Sequence, residues 1–532
     1  MKKSTFMKNL AVISLSMVIS ASAQDKKNPD YSTTPRQEVP SEFKWKVEDI
    51  YPDYEAWSRD KAELAGLIAQ IESKGQGWTS SGKKMYEMYE LSSRISRKAS
   101  RLYQYAIRQS DVEMTDSKLR VMKGEMQAMF VDISSKTAFM NDDLLKLDQA
   151  AVDRFLQEEP RLKDYRFTME QILREKPHIL TSDQQKIMSL TSLYSGNISE
   201  AADILTTVDI PSPEITLSDG KKITLNYINY TAHRTDKNKD DRSLVMRTFW
   251  QNMKKYENTL ATLLDGGMKQ DLFQAKARNY DDCLQARLFG EDIDTSVYFN
   301  LISAVKNNLT PLHRYMKLKQ TLLGLDKLKY EDVYASSVSS ISKTYTFDEA
   351  RGIITETLKP MGEEYSANLR KAFEGRWIDR YPNKNKQTGA YSSGIYDVHP
   401  FILMNFNGTY QDVSTLIHEL GHSMHSYLSA KYQPYPDYQY TTFAAEIAST
   451  FNENMLMDYI LKNEKDELFK LYILDNYLER LRATIYRQTM FADLELSMHR
   501  SVEKGKTLTS EWLNKEYLKL VRDYYGHDKG VV

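Results

Sequence analysis

His418-Glu419-Leu420-Gly421-His422-Ser423-Met424-His425 is the stretch on which the reading of this chain turns. Its His-Glu-x-x-His core puts two imidazoles at i and i+4, one above the other on a helix face, with a glutamate between them in sequence. That is the pattern of a zinc-hydrolase helix: two nitrogen ligands and a carboxylate placed to act as general base. A chain of this composition holds such a pentapeptide by chance about once in a hundred, so its surroundings must decide. Thr409, with Asp412 three residues on, can cap the helix start, and Pro434 stops it. At about 100° per residue, Val413, Leu416, Ile417, Leu420, Met424, Tyr427 and Leu428 fall on one arc. His418, His422 and His425 fall on the opposite arc, among Gln411, Ser414, Gly421 and Ser429. The projection predicts a helix that buries one side and shows its histidines to a space. His425 lies one turn further on, about 10 Å from His418 along the axis, which places it beside the metal or toward substrate rather than on the metal. The longer metzincin pattern is absent.

A third ligand must come from elsewhere. Phe443-Ala444-Ala445-Glu446-Ile447-Ala448-Ser449-Thr450-Phe451-Asn452-Glu453 reads as a buried helix of apolar and small residues. Glu446 and Glu453 share a face, and a buried carboxylate needs a partner that a cation would supply. Glu446 as ligand gives a His₂Glu set with an open position for water, and Glu453 can accept a ring N–H from a ligating histidine. The other reading of these carboxylates is ion pairing with Arg480 or Arg482.

Composition narrows the class. The chain has 532 residues, 41% hydrophobic and 27% charged, enough for a large core and two to four domains. Its long segments rich in Leu, Lys, Glu, Ala and Met favour a mainly α protein. A net charge of −1 gives no footprint for nucleic acid or an anionic membrane. Cys283, the only cysteine, excludes an intrachain disulfide and a thiolate cluster, which leaves histidines and carboxylates to hold any metal.

Lys2, Lys3 and Lys8, the apolar run Leu10 to Ile19 and the small residues Ala21-Ser22-Ala23 read as an export signal over 1–23, too short to remain as a spanning helix. The expected location is periplasmic or secreted. Residues 24–40 read as a flexible lead-in, 41–200 as an N-terminal helical lobe and 201–532 as the catalytic domain. Helical spacing recurs over 54–74, 83–110, 113–137, 143–158, 241–276, 295–323 and 347–373. Two hairpins interrupt it: Ile215-Thr216-Leu217 with Ile223-Thr224-Leu225 across an Asp-Gly turn, and Gly389–Tyr396 with Phe401–Phe406 just before the motif helix. Residues 376–388 between them read as a polar loop.

Taken together, Gly389-Ala390-Tyr391-Ser392-Ser393-Gly394, His399-Pro400-Phe401-Ile402-Leu403-Met404-Asn405, the motif helix and the Ala445–Glu453 run closely resemble oligoendopeptidase F, of the thimet oligopeptidase-like zinc peptidases. The likeness extends to Phe273–Tyr280, Leu312–Tyr315 and Pro35–Pro40, and so covers nearly the whole mature chain. It implies a two-lobed, mainly helical fold with a deep channel that admits short peptides, and one zinc ion held by His418, His422 and Glu446 with Glu419 as base. It also implies that the strand carrying Tyr391 and Gly394 lies beside the cleft. A monomer without a stable membrane anchor is expected. The chain stops at Val532, where family members continue into a segment whose His and Tyr residues stabilise the scissile carbonyl. The alternative expectation is therefore a zinc-loaded but weak or inactive peptide-binding homologue. A helical scaffold with a fortuitous motif is the third reading.

Overall fold

The computed structural model describes residues 28–338 and 343–532. The export signal read over 1–23 lies outside the described residues. No described helix is long and apolar enough to cross a membrane. Helices dominate, as the residue spacing predicts, and the few strands are two or three residues long.

Two compact units emerge, each assembled from two separate stretches: Met1–Thr168 with Ser342–Tyr459, and Met169–Ile341 with Ile460–Val532. The sequence reading instead placed one boundary near residue 200. The difference has a physical source. Helical texture changes gradually along the chain, whereas a core gathers whichever segments bury their apolar faces together, irrespective of order.

The first unit contains a helical array built on Gly82–Val112, which packs against Tyr54–Ile68 and Ser117–Leu144. Asp53, Ser81 and Asp116 cap these three helices through their side-chain oxygens. Trp57 is fully buried and donates its indole N–H to Leu102 O at 2.9 Å. Residues 28–40, expected to be flexible, are held: Arg36 forms an ion pair with Asp379, and Val39 is buried. Asp379 also accepts from Lys386 Nζ at 2.7 Å, deep in the core. Its burial pulls the carboxyl upward, but Lys386 and Arg36 outweigh that and hold it below the usual carboxylate range.

The strands β1 (Glu214–Thr216) and β2 (Lys222–Thr224) form the first predicted hairpin, antiparallel with Ile215 opposite Ile223, in the second unit. Gly220 at φ 83° makes its turn. In the first unit, β3 (Ile378–Asp379), β4 (Tyr391–Ser393) and β5 (Phe401–Leu403) form a sheet in the order β3-β5-β4. The second predicted hairpin is thus present as β4 and β5, antiparallel. The strand β3, parallel to β5, lies where the sequence reading had a loop. Polar Asp379 and Lys386 misled that reading; they are polar because they pair with each other inside the core. The motif helix, Tyr410–Tyr432, packs on β4 and β5.

The second unit includes two apolar clusters. One joins the β1–β2 hairpin to Tyr230, Val245 and Phe249, and the other joins Leu312 and Met316 to Leu520 and Tyr524.

Candidate metal centre

The motif helix begins as expected. Thr409 Oγ1 accepts from Asp412 N at 3.1 Å, and Asp412 Oδ2 accepts from Thr409 N at 2.9 Å, a reciprocal box that fixes the first turn. Leu416, Ile417, Leu420 and Met424 are buried, as projected. The histidine side is not simply open space. Ser414 and Gly421 are buried too, and at Gly421 a second helix, Thr442–Asn463, crosses. A Cβ on Gly421 would come within 2.7 Å of Ser449 Cα and 2.9 Å of Ala448 O, so only glycine permits this approach. Asn452, almost fully buried, pins the crossing by donating from Nδ2 to Ile417 O at 3.2 Å.

The crossing delivers Glu446. His418 Nε2 and His422 Nε2 are 3.2 Å apart, and Glu446 Oε2 lies 3.5 Å from the first and 3.6 Å from the second. The edge of a tetrahedron of N and O ligands around a zinc-sized ion is about 3.3–3.6 Å, from bond lengths near 2.0–2.2 Å. The three donor atoms therefore fit three corners of such a shell. His425 is not part of this group.

Each donor is oriented by a neighbour. His418 Nδ1–H donates to Glu453 Oε1 at 2.7 Å, which leaves the Nε2 lone pair for a metal. His422 is held by a hydrogen bond to the Ala445 backbone. Ser449 Oγ donates to Glu446 Oε2 at 2.7 Å. Burial holds the His422 imidazole below its ordinary pKa, with the neighbouring His418 adding to the effect, so it stays neutral. A neutral imidazole is the metal-binding form. Glu419 is buried, and burial pushes its carboxyl up to about 7, against the pull of His418 and with the push of Glu446. A hydrogen bond from the Ser392 backbone opposes the rise as well.

Other predicted residues are placed differently. His425 stacks on Tyr440, ring centroids 3.8 Å apart, and its buried Nδ1 has no partner among the described residues. Tyr391 is clamped: its hydroxyl donates to Asp111 at 2.6 Å and accepts from Arg108 at 2.7 Å. Gly394 lies against the motif helix, where a Cβ would meet Ser426 Cβ at 2.7 Å. The Glu446 helix is not buried as its composition predicts. Phe443, Ile447 and Phe451 are 66%, 65% and 52% exposed, one above another at intervals of four. Its small residues face the motif helix and its large ones do not, which reverses the usual order because backbone proximity, not side-chain volume, sets that contact.

Sequence reasoning missed Ser449, Asn452 and the Ser392–Ser423 pair, whose hydroxyls are 2.7 Å apart and tie β4 to the motif helix. The signal for Ser449 and Asn452 was polar residues recurring among alanines at helical spacing; Ser392 and Ser423, on different elements, gave none.

The chain is similar to known proteins along most of its length. A model described as peptidase family M3 matches residues 232–531, and one described as oligopeptidase F matches residues 143–211. Oligopeptidase PepF of Bacillus subtilis is 34% identical over 491 residues, covering 92% of this chain and 73% of that one. Group B oligopeptidase PepB of Streptococcus agalactiae is 33% identical, covering 93% and 82%. Among solved structures, one from Chlamydophila abortus superposes with a TM-score of 0.85 at 32% identity, covering 94% of this chain and 85% of that one. Oligoendopeptidase F from Enterococcus faecium superposes with a TM-score of 0.64 at 28% identity, covering 88% and 79%. A family match over more than half its length, and relatives of this identity along most of both chains, establish that the chain belongs to peptidase family M3.

Proposed function

We propose that the chain is an exported zinc metalloendopeptidase that hydrolyses short peptides, with His418, His422 and Glu446 as metal ligands and Glu419 as general base. The observation that carries this reading is the convergence of three donor atoms at 3.2–3.6 Å, each oriented by a separate hydrogen bond. A His₂Glu set with a fourth position free favours zinc. Zinc, when bound, supplies a water of lowered pKa and polarises the peptide carbonyl.

The protein's own part follows from its side chains. Glu419 has a carboxyl raised by burial, so it can take a proton from water and pass it to the leaving amine. Glu453 keeps the His418 ring turned with Nε2 forward, and Ser449 fixes the Glu446 carboxylate. The strand β4 is the outer member of its sheet, with β5 on one side only. Its outer edge, where the Ser392 N–H meets the Glu419 carboxylate, supports pairing with an extended peptide, and the Arg108–Tyr391–Asp111 clamp keeps it rigid. The basic, apolar and small-residue order of residues 1–23 supports export.

Glu419→Gln tests the assignment. It should keep near-stoichiometric zinc and leave a quenched peptide uncut; cleavage at wild-type rate would overturn the role of Glu419.

A further inference from the structure

In the second unit the helix Glu467–Leu481 passes through a π turn, Arg482–Arg487, into the helix Gln488–Glu503. The wider i→i+5 turn brings residues five apart toward one face, an arrangement frequent at functional sites. Here those residues are Arg482 and Arg487. Their guanidiniums lie over the Tyr334 ring, at 5.1 and 5.9 Å from its centre. Arg234, at the end of the helix Tyr227–His233, approaches the same ring to 4.3 Å.

Only one of the three cations is neutralised. Arg482 places two N–H groups on Glu479 Oε2, at 3.0 and 2.9 Å, and donates to the Tyr525 hydroxyl at 3.0 Å. Glu479 also accepts from Lys319 and Tyr315, both at 2.7 Å, so it is shared out. Arg234 and Arg487 touch ring faces, Tyr230 at 5.4 Å and Phe491 at 5.0 Å, and meet no carboxylate among the described residues. The Nε of each is buried without an acceptor. Thr231, one turn before Arg234, has a buried hydroxyl without a partner as well. Buried donors are normally satisfied, and like charges gathered on one ring repel. The cluster has donors and positive charge in excess, and among the described residues Arg234 and Arg487 lack a negative partner.

We propose that Arg234 and Arg487 grip a carboxylate over Tyr334. A carboxylate is flat, matches the guanidinium fork and can offer one oxygen to each arginine. The ring faces of Tyr230 and Phe491 beside the two guanidiniums suit a flat group better than a tetrahedral phosphate. The carboxylate is either a small free acid or the C-terminus of a peptide. This site is independent of the zinc reading.

Thermal denaturation of the zinc-loaded full chain, titrated with sodium acetate at constant ionic strength against chloride and phosphate, tests it. Acetate should raise the melting temperature in a saturable way. Arg234→Gln and Arg487→Gln should each raise the half-saturating concentration about tenfold, as expected for a lost charged hydrogen bond, with zinc content unchanged. A short peptide with a free C-terminus that binds more tightly than its amide, a difference abolished in R487Q, assigns the site to peptide termini. Equal binding of the two peptides, with the acetate response intact, assigns it to small acids. Chloride or phosphate acting as well as acetate would overturn the proposal, as would an acetate response unchanged in both variants. If the variants fail to fold, the wild-type comparison of acetate with chloride and phosphate decides.

Discussion

Gly421→Ala offers a sharp test of how the metal centre is held. The added methyl would sit 2.7 Å from Ser449 Cα and 2.9 Å from both Ala448 O and Ser449 N, all backbone atoms that cannot rotate away. Comfortable carbon contacts begin near 3.5 Å, so the two helices must part by about 1 Å. Glu446 rides on the same helix, three residues before Ser449, and moves with it. Metal–ligand distances tolerate about ±0.2 Å, so the displacement is about five times what ligation allows. Zinc affinity should fall at least about a hundredfold, or about 2.7 kcal/mol. Fold stability should change far less. Overpacking costs about 1–3 kcal/mol, while alanine in place of glycine in a helix returns about 1 kcal/mol. The assay is a zinc competition titration against a chromophoric chelator, with circular dichroism to confirm helix content. Gly66→Ala is the control, since a Cβ there meets nothing within 4 Å, and it should leave zinc affinity alone. A folded Gly421→Ala protein that binds zinc within threefold of wild type would refute the idea that this close approach sets the ligand geometry.

Other outcomes follow from particular contacts. Glu453→Gln should weaken zinc binding about 10–100-fold, measured by the same competition, because the His418 ring loses the carboxylate that orients it. Asp379→Asn should destabilise the protein by about 3–5 kcal/mol in urea, since Lys386 would be left buried without its counter-charge. Asp379 has a folded pKa below its unfolded one. Its contribution is therefore present above about pH 4 and lost as pH falls through the folded value, and acid titration of D379N should lack that step. His499 is shifted the other way, raised by its hydrogen bond to Asp271. Its contribution is complete below about pH 6.5 and disappears as pH rises through the raised value, so stability of His499→Gln should vary less between pH 6 and 8.

Much of the fold was legible because local rules governed it. The long helices obey apolar spacing, and the Thr409 box and the Asp-Gly turn are short-range chemistry that a linear reading captures. The strand β3 was not legible, since Asp379 and Lys386 look like loop residues until they are seen to neutralise each other inside a core. The exposure of Phe443, Ile447 and Phe451 was hidden for the complementary reason: apolar composition signals burial, but the partner surface here asks for small residues instead.

The sequence by itself determined the two imidazoles one turn apart, the glutamate between them and the two carboxylates on a common face, because helical periodicity fixes directions within one element. Only the tertiary structure decided that Glu446 meets His418 and His422 at ligand spacing while Glu453 turns to the far nitrogen of His418. That choice rests on where two helices cross. The crossing is set by the missing side chain at Gly421 and the hydrogen bond of Asn452, contacts between segments that no periodicity along the chain can predict.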